Sequence, residues 1–181
     1  SFSNFQVYTM RKDIAEEIGV ADQAGTKISM EQLEEIMAKA EAAHPELCWQ
    51  GERFLRPPMG VDNLGNDSLI GVLMNRGVGE TEIKNYYATD EFRNYCYQSK
   101  EWAEKGYIVD DPLNNTENFG PLCNEGICGG FMYEAYSIDY ALSLMRAQIT
   151  NYEMIIFQIT DLAGDNSCVY NGWNISPTCK N

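Results

Sequence analysis

The stretch Asn4–Gly19, NFQVYTMRKDIAEEIG, decides the fold class of this chain. Its beginning, Asn4–Tyr8, combines aromatic and β-branched side chains, which is typical of a short strand. A helix is predicted directly after it, over about Arg11–Ile18, because two isoleucines lie on one helical face. Gly19 is a residue at which such a helix ends. A strand that leads into a helix begins the alternation that favours an α/β fold.

The alternation continues to the end of the chain. Ser29 and Gln32 form a capping box, and Thr89 is followed by acids that suit a first helical turn. The predicted elements are helices over about 29–43, 89–105 and 137–148, and strands over 129–135, 152–160 and 169–176. Two further stretches, Leu47–Asn75 and Asp110–Gly120, predict a long loop with one short strand and a turn-rich connection.

The third helix has a predicted buried stripe. Phe92, Cys96, Ser99 and Ala103 recur at helical spacing, and two larger aromatic residues join them. The stripe is interpreted as core packing.

Length and charge narrow the functional classes. The 181 residues are enough for one domain, and the whole span 1–181 is predicted to be a single α/β unit. Acidic residues outnumber basic ones by 27 to 13, which gives a net charge of −14. Because a phosphate backbone needs a concentrated cationic surface, no nucleic-acid partner is expected.

The six cysteines leave the redox state open. Disulfides Cys123–Cys128 and Cys168–Cys179 are possible, and buried free thiols are an equal alternative because a buried cysteine behaves as a small hydrophobe. The spacing does not suit zinc, so no metal or cofactor is expected.

Catalytic chemistry has few candidates. His44 is the single histidine, at a predicted helix end beside a proline, and is interpreted as a surface residue. No nucleophile elbow, dinucleotide fingerprint or phosphate-binding loop is present in the sequence. The paired acids on the helices are interpreted as solvated charge. The chain is therefore predicted not to be an enzyme.

Aromatic residues carry the strongest sign of a ligand. Tyr133, Tyr136 and Trp173 lie on or just after predicted strands, beside glycines or polar residues. Aromatic rings pack on the apolar faces of sugars, while carboxylates and amides bind the hydroxyl groups. Glu134 and Asn171 are near enough in sequence to supply those polar groups. These residues predict a carbohydrate site.

Several motifs occur in a recognisable order along the chain. They are Tyr8–Gly19 (YTMRKDIAEEIG), Ser29–Leu33 (SMEQL), Asn85–Phe92 (NYYATDEF), Trp102–Ile108 (WAEKGYI) with Asp110, and Gly172–Ser176 (GWNIS) with Lys180 and Asn181. Together they resemble extracellular solute-binding proteins of family 1, the ligand-capturing components of ABC importers, and most of all their lipoprotein subgroup.

The resemblance implies two α/β lobes that close around a solute in the cleft between them, a type II periplasmic-binding-protein-like fold. The chain then corresponds to the second lobe, a central sheet flanked by helices, and the N-terminal lobe would be its intramolecular partner. The family's ligand-stacking aromatic matches Tyr136, with Tyr133 and Glu134 beside it and Trp173 as a weaker match. The sequence departs from the family pattern at Cys128–Gly130.

The resemblance also implies the partners and the location. It implies delivery of the solute to an ABC transporter permease by an extracellular, membrane-anchored lipoprotein. The aromatic residues, with no cationic cluster in the sequence, favour a sugar or oligosaccharide as that solute, and peptides and other small solutes stay open. Two other classes stay open: a secreted carbohydrate-active enzyme, with two opposed carboxyl groups in a pocket, and a stand-alone cell-surface interaction module.

Overall fold

Most of the structure is connected by one central strand. The structure is a computed structural model that describes residues 2–50, 61–65, 68–109, 118–160 and 163–165. The strands are β1 (Phe2–Arg11), β2 (Val61–Gly65), β3 (Ser68–Met74), β4 (Gly130–Ala135), β5 (Met154–Gln158) and β6 (Ala163–Asp165). The helices are α1 (Lys12–Glu17), α2 (Met30–Ala43), α3 (Asp90–Glu104), α4 (Phe119–Asn124) and α5 (Ile138–Gln148).

Strand β1 lies in the middle of the main sheet. It pairs with β4 on one side and β5 on the other, both antiparallel, so that Val7 is opposite Tyr133 and Gln158. The first residues of β1 pair with β6 instead. Because β4 and β5 both oppose β1, they run in the same direction and their carboxyl ends lie at one edge of the sheet.

Short parallel bridges widen this sheet. Cys48 is bridged to Cys128, Gln50 to Ile108, and Lys27 to Gln158. The segment 48–50 therefore runs parallel to β4, and its carboxyl end lies at the same edge as that of β4. In open α/β sheets, ligands bind outside the carboxyl ends of the strands. This edge is where a site is expected.

Two tryptophan–glutamate hydrogen bonds fix helix α2 to its neighbours. The indole Nε1 of Trp49 donates to Glu41 Oε2 at 2.9 Å, and that of Trp102 donates to Glu34 Oε1 at 2.8 Å. Both indoles are fully buried. The bonds satisfy the polar atom of each ring, which lets these large side chains add to the core without an unpaired donor.

Helix starts agree closely with the sequence. Ser29 and Gln32 form the expected capping box at the start of α2. Thr89 accepts from the backbone N–H of Phe92, and Ser137 accepts from that of Tyr140, at the starts of α3 and α5. The expected end of α1 is also confirmed, with Gly19 at φ +73° just beyond it. Local hydrogen bonding decides these boundaries, so a single sequence reveals them.

Three expectations are wrong. The stretch 47–75 contains a β2–β3 hairpin. Its cross-strand pairing, in which Val61 is opposite Met74 and Gly65 is opposite Ser68, outweighs the glycine-rich composition. Helix α4 begins at Phe119 and so takes the last two residues of the expected turn-rich connection 110–120, of which residues 110–117 lie outside the described part of the chain. On α3 the buried face is centred on Trp102, while Cys96 and Ala103 are exposed, since large aromatic rings gain more from burial. The predicted strand 169–176 lies outside the described residues.

One disulfide is described, and it joins Cys48 to Cys128. The expected alternative Cys123–Cys128 is therefore wrong; Cys123 is a buried free thiol, and burial raises its pKa to about 11. Cys168 and Cys179 lie outside the described residues. Sequence spacing favoured the nearby cysteine, whereas the parallel bridge between segment 48–50 and the entrance to β4 brings the distant one close.

Candidate functional site

The candidate site lies where β4 ends and α5 begins, at the carboxyl edge of the main sheet. Tyr136 follows the last residue of β4 and is 58% exposed. Ser137 comes next and caps α5, with its Oγ accepting from the backbone N–H of Tyr140 at 3.1 Å. The tight strand-to-helix connection holds Tyr136 between two regular elements.

Tyr140 lies beside Tyr136. Their ring centroids are 5.5 Å apart, the ring planes are inclined by 59°, and Tyr140 is 47% exposed. Large aromatic side chains are often buried, so two adjacent exposed rings offer an aromatic surface that a ligand can contact. We call Tyr136 and Tyr140 the tyrosine pair.

Two carboxylates lie near this pair in sequence: Asp139 directly before Tyr140 and, on β4, the predicted Glu134. Glu134 is exposed, whereas its neighbours Tyr133 and Ala135 are buried. Side chains alternate between the two faces of a strand, so Glu134 points to the face opposite Tyr133. Its backbone is fixed by pairing with Gln6 of β1.

A cavity of about 580 Å³ lies between α4, β4 and α5. Its apolar wall is a stack of three rings: Phe119 and Phe131 are 4.8 Å apart, and Phe131 and Tyr133 are 5.3 Å apart. Asn118 and Gln148 are polar residues of the lining, and Glu134, whose side chain points away from Tyr133, also borders the cavity. The volume and the mixture of aromatic and polar groups are typical of a small-molecule site.

Tyr133 belongs to the inside of this arrangement. It is only 5% exposed, and its hydroxyl donates to the carbonyl of Ala141 at 3.2 Å. Burial raises the pKa of the Tyr133 phenol well above its usual value, so the ring stays neutral. Tyr133 can therefore meet a ligand only through the wall of the cavity, in contrast to the exposed ring of Tyr136.

The strand that carries these residues is held at its outer edge. The side-chain Oε1 of Gln50 accepts from the backbone N–H of Met132 at 2.9 Å, where segment 48–50 no longer pairs with β4. The Cys48–Cys128 disulfide lies at the entrance of the same strand. Backbone pairing, a side-chain bond and a covalent bond thus fix β4 before it reaches Glu134 and Tyr136.

The departure from the family pattern at Cys128–Gly130 has a steric reason. A Cβ on Gly129 would collide with the Trp49 ring, and one on Gly130 would collide with the Tyr8 hydroxyl. That hydroxyl donates to the carbonyl of Trp49 at 2.8 Å. Two bulky aromatic residues reach the backbone of β4 here, and only glycine leaves them room.

The predicted site residues fall into three groups. Tyr136 and Glu134 are exposed near the end of β4, Tyr133 is inside the cavity wall, and Trp173 lies outside the described residues, as does Asn171. Sequence reasoning missed Tyr140 and the cavity. The four-residue spacing from Tyr136, about one helical turn, could have indicated Tyr140. The cavity depends on α4, which was not predicted.

Similarity to known proteins is visible in the structure. No protein-family model matches the chain, and no curated protein matches it in sequence. A crystal structure of the N-glycan transport solute binding protein NgtS from Streptococcus pneumoniae, in complex with Man5GlcNAc, matches with a TM-score of 0.70 at 18% identity and covers 92% of this chain. The same protein in complex with Man1GlcNAc matches with a TM-score of 0.68 at 20% identity and covers 89%.

These matches establish the fold. The chain spans 36% and 35% of the two solved chains, about a third of their length. The predicted fold class, one α/β lobe with a central sheet flanked by helices, like part of these solute-binding proteins, is therefore confirmed.

Proposed function

We propose that this chain is the ligand-holding second lobe of a solute-binding protein that captures an extracellular carbohydrate for an ABC importer. The observation that carries the proposal is the exposed ring of Tyr136, two residues after the exposed Glu134, at the carboxyl edge of the sheet. The fold of the lobe supports it, because solved proteins of this fold hold sugars such as Man5GlcNAc.

The chemistry of the site suits a sugar. A pyranose ring has an apolar C–H face that packs on an aromatic ring, and hydroxyl groups around its rim that need hydrogen-bond partners. Tyr136 offers the aromatic face, and the carboxylate of Glu134 accepts hydroxyl hydrogens, as charged acceptors do strongly. Asn118 and Gln148, which line the cavity beside Tyr133, carry amides that can both donate and accept.

The proposed role is binding without catalysis. The whole span 1–181 acts as one lobe, and an N-terminal lobe of the same protein closes over the solute by a hinge movement. The closed form then delivers the solute to the permease. Ligand shifts the population toward the closed form because only that form makes contacts from both lobes.

The proposed location is extracellular, with a lipid anchor on the membrane as in the lipoprotein subgroup that the sequence resembles. The Cys48–Cys128 disulfide supports it, since disulfides persist in oxidising compartments. Within the described ranges, none of the helices combines the length and apolar character needed to cross a bilayer.

The test is calorimetric titration of the full-length protein with Man5GlcNAc and Man1GlcNAc. We expect binding, and Tyr136→Ala should weaken it roughly tenfold through loss of the stacked face. Tyr97→Ala is the matched control, because Tyr97 is 65% exposed on α3, outside the site. If neither glycan binds, or if the two variants behave alike, the proposal is wrong.

A carbohydrate-active enzyme is the alternative from a different class. Hydrolysis needs two carboxyl groups about 5–10 Å apart across the scissile bond. In the described lining of the cavity, Glu134 is the one carboxylate. Steady release of mannose from Man5GlcNAc by the purified protein, lost in Glu134→Gln, would replace the binding proposal with this one.

A further inference from the structure

We infer that Tyr136 and Tyr140 act together as a two-ring platform that selects a ligand of at least two linked sugar rings over a monosaccharide. The inference rests on the proposed function and adds Tyr140 as a residue that determines specificity. It is carried by the geometry of the tyrosine pair, not by the similarity to other proteins.

The two rings of the tyrosine pair face in different directions. The planes of Tyr136 and Tyr140 are inclined by 59° with centroids 5.5 Å apart, and each ring is about half exposed. A pyranose is a rigid ring with flat C–H faces, so it can lie against one of these planes but not against both. A monosaccharide therefore leaves one of the two aromatic faces in water.

The linkage between two sugars lets their rings take different orientations. Rotation about a glycosidic bond allows consecutive sugar rings to adopt different planes. Two linked sugars can then follow the inclination of the tyrosine pair, one ring on each tyrosine. Burial of the second aromatic face adds contact that a single sugar cannot make, since apolar contact scales with the area removed from water.

Regular structure holds the backbone at both tyrosines. Tyr136 follows β4 directly, and Tyr140 lies in the first turn of α5, where its backbone N–H is held by the Ser137 side chain. The pair is thus attached to a paired strand and a capped helix. The backbone at both tyrosines therefore has little conformational freedom to lose on binding, so more of the contact energy is expressed as affinity.

Glu134 places a polar partner near the same surface. It precedes Tyr136 by two residues and also lines the cavity beside α5. Its carboxylate can fix the hydroxyl rim of a sugar near the strand end, while the tyrosine pair contacts the apolar faces. A ligand longer than one ring meets both kinds of contact.

The experiment compares the disaccharide Man1GlcNAc with its two constituent monosaccharides, mannose and N-acetylglucosamine. Affinities are measured by calorimetry on the full-length protein and on Tyr140→Ala, Tyr140→Phe and Tyr97→Ala. Wild type should bind the disaccharide at least tenfold more tightly than either monosaccharide. Tyr140→Ala should lower that ratio by roughly three- to tenfold, the value of one aromatic contact.

The variants separate a ligand contact from a structural effect. Tyr140→Phe keeps the ring and should keep the ratio, and Tyr97→Ala should leave it at the wild-type value. Thermal unfolding of each variant shows whether α5 is intact. A loss of ratio in Tyr140→Ala without a matching loss in Tyr140→Phe supports the two-ring platform.

Failures of the two proposals differ in what is observed. If none of the sugars binds wild type, the proposed function fails and the inference fails with it. Suppose instead that the sugars bind, but the monosaccharides match the disaccharide or Tyr140→Ala keeps the wild-type ratio. The lobe would then still bind carbohydrate, and the two-ring platform would be wrong.

Discussion

Several described parts of the molecule expose apolar side chains, and two of them differ in their support. At the end of β4, the exposed rings of Tyr136 and Tyr140 are attached to a strand paired with the central strand of the main sheet. In the β2–β3 hairpin, the exposed side chains are aliphatic, such as Ile70, and the two strands form a sheet of their own. Two-stranded sheets are marginally stable by themselves.

Exposure of an apolar side chain alone does not identify a binding site. A single exposed isoleucine is common on protein surfaces and indicates no ligand by itself. Tyr136 directly follows the paired strand β4, and Tyr140 lies in the first turn of the capped helix α5, with the exposed Glu134 two residues before Tyr136. The combination of chemistry and support, not exposure alone, favours the β4 end as the site.

The largest expected effect comes from breaking the covalent support of β4. The Cys48–Cys128 disulfide closes a loop with a sequence separation of 80 residues, so its loss should cost about 4 kcal/mol of unfolding free energy. Replacing both cysteines by alanine, followed by urea denaturation, measures this. Substitution is preferable to a reductant because it leaves other cysteines untouched.

The control for that prediction is Cys96→Ala, at an exposed free thiol on α3. It should change the unfolding free energy by less than about 0.5 kcal/mol. A double variant as stable as this control would show that the disulfide contributes nothing to the support of β4.

A smaller effect is expected from a single methyl group on β4. Gly130→Ala forces a Cβ against the Tyr8 hydroxyl, and overpacking of this kind costs about 1–3 kcal/mol. Gly71→Ala in β3 is the matched change in the hairpin, where the new Cβ would have its nearest contact, with Ile83, at an ordinary 3.6 Å.

Thermal or urea unfolding of the two glycine variants sharpens the comparison between the regions. Gly130→Ala should be clearly destabilised, and Gly71→Ala should lie within about 0.5 kcal/mol of wild type. Equal stability of both variants would mean that β4 is no more tightly packed than the hairpin.

Three helix starts and the strand β4 could be predicted from the sequence because their signals are local. The caps at Ser29, Thr89 and Ser137 depend on residues within one helical turn, and each was found. The strand that became β4 was found from its composition, and Tyr136 was placed just after it. These features need no knowledge of distant parts of the chain.

The features that were missed depend on distant contacts. The Cys48–Cys128 bond and the Gln50 bond to Met132 join residues about eighty positions apart. The hairpin needs cross-strand pairing, and the buried face of α3 was set by Glu34 of α2, which accepts from Trp102. The cavity beside β4 combines three elements, so its lining was not visible in any single stretch.

The smallest expected effect concerns the turn that leads into segment 48–50. His44 lies between Glu17 of α1 and Glu46, with ring nitrogens 3.0 Å from each carboxylate. Hydrogen bonds to Glu17 and then to Glu46 raise the pKa of His44 above its usual value. The protonated ring thus ties α1 to the approach to the β4 support, at a partly exposed position where water screens the charges.

The sign of the pH dependence follows from the raised pKa. Stability from His44 is fully present below the pKa of an unfolded histidine, about 6.5, and is lost as the pH rises through the higher folded value. Because the His44 side chain is 26% exposed and screened by solvent, the change should be only about 0.5 kcal/mol. Urea unfolding at several pH values between about 5.5 and 8.5, roughly the range over which a histidine titrates, measures this change in unfolding free energy. His44 is the only histidine in the chain, so His44→Gln should remove this slope; a slope that persists in the variant would assign the titration to another group.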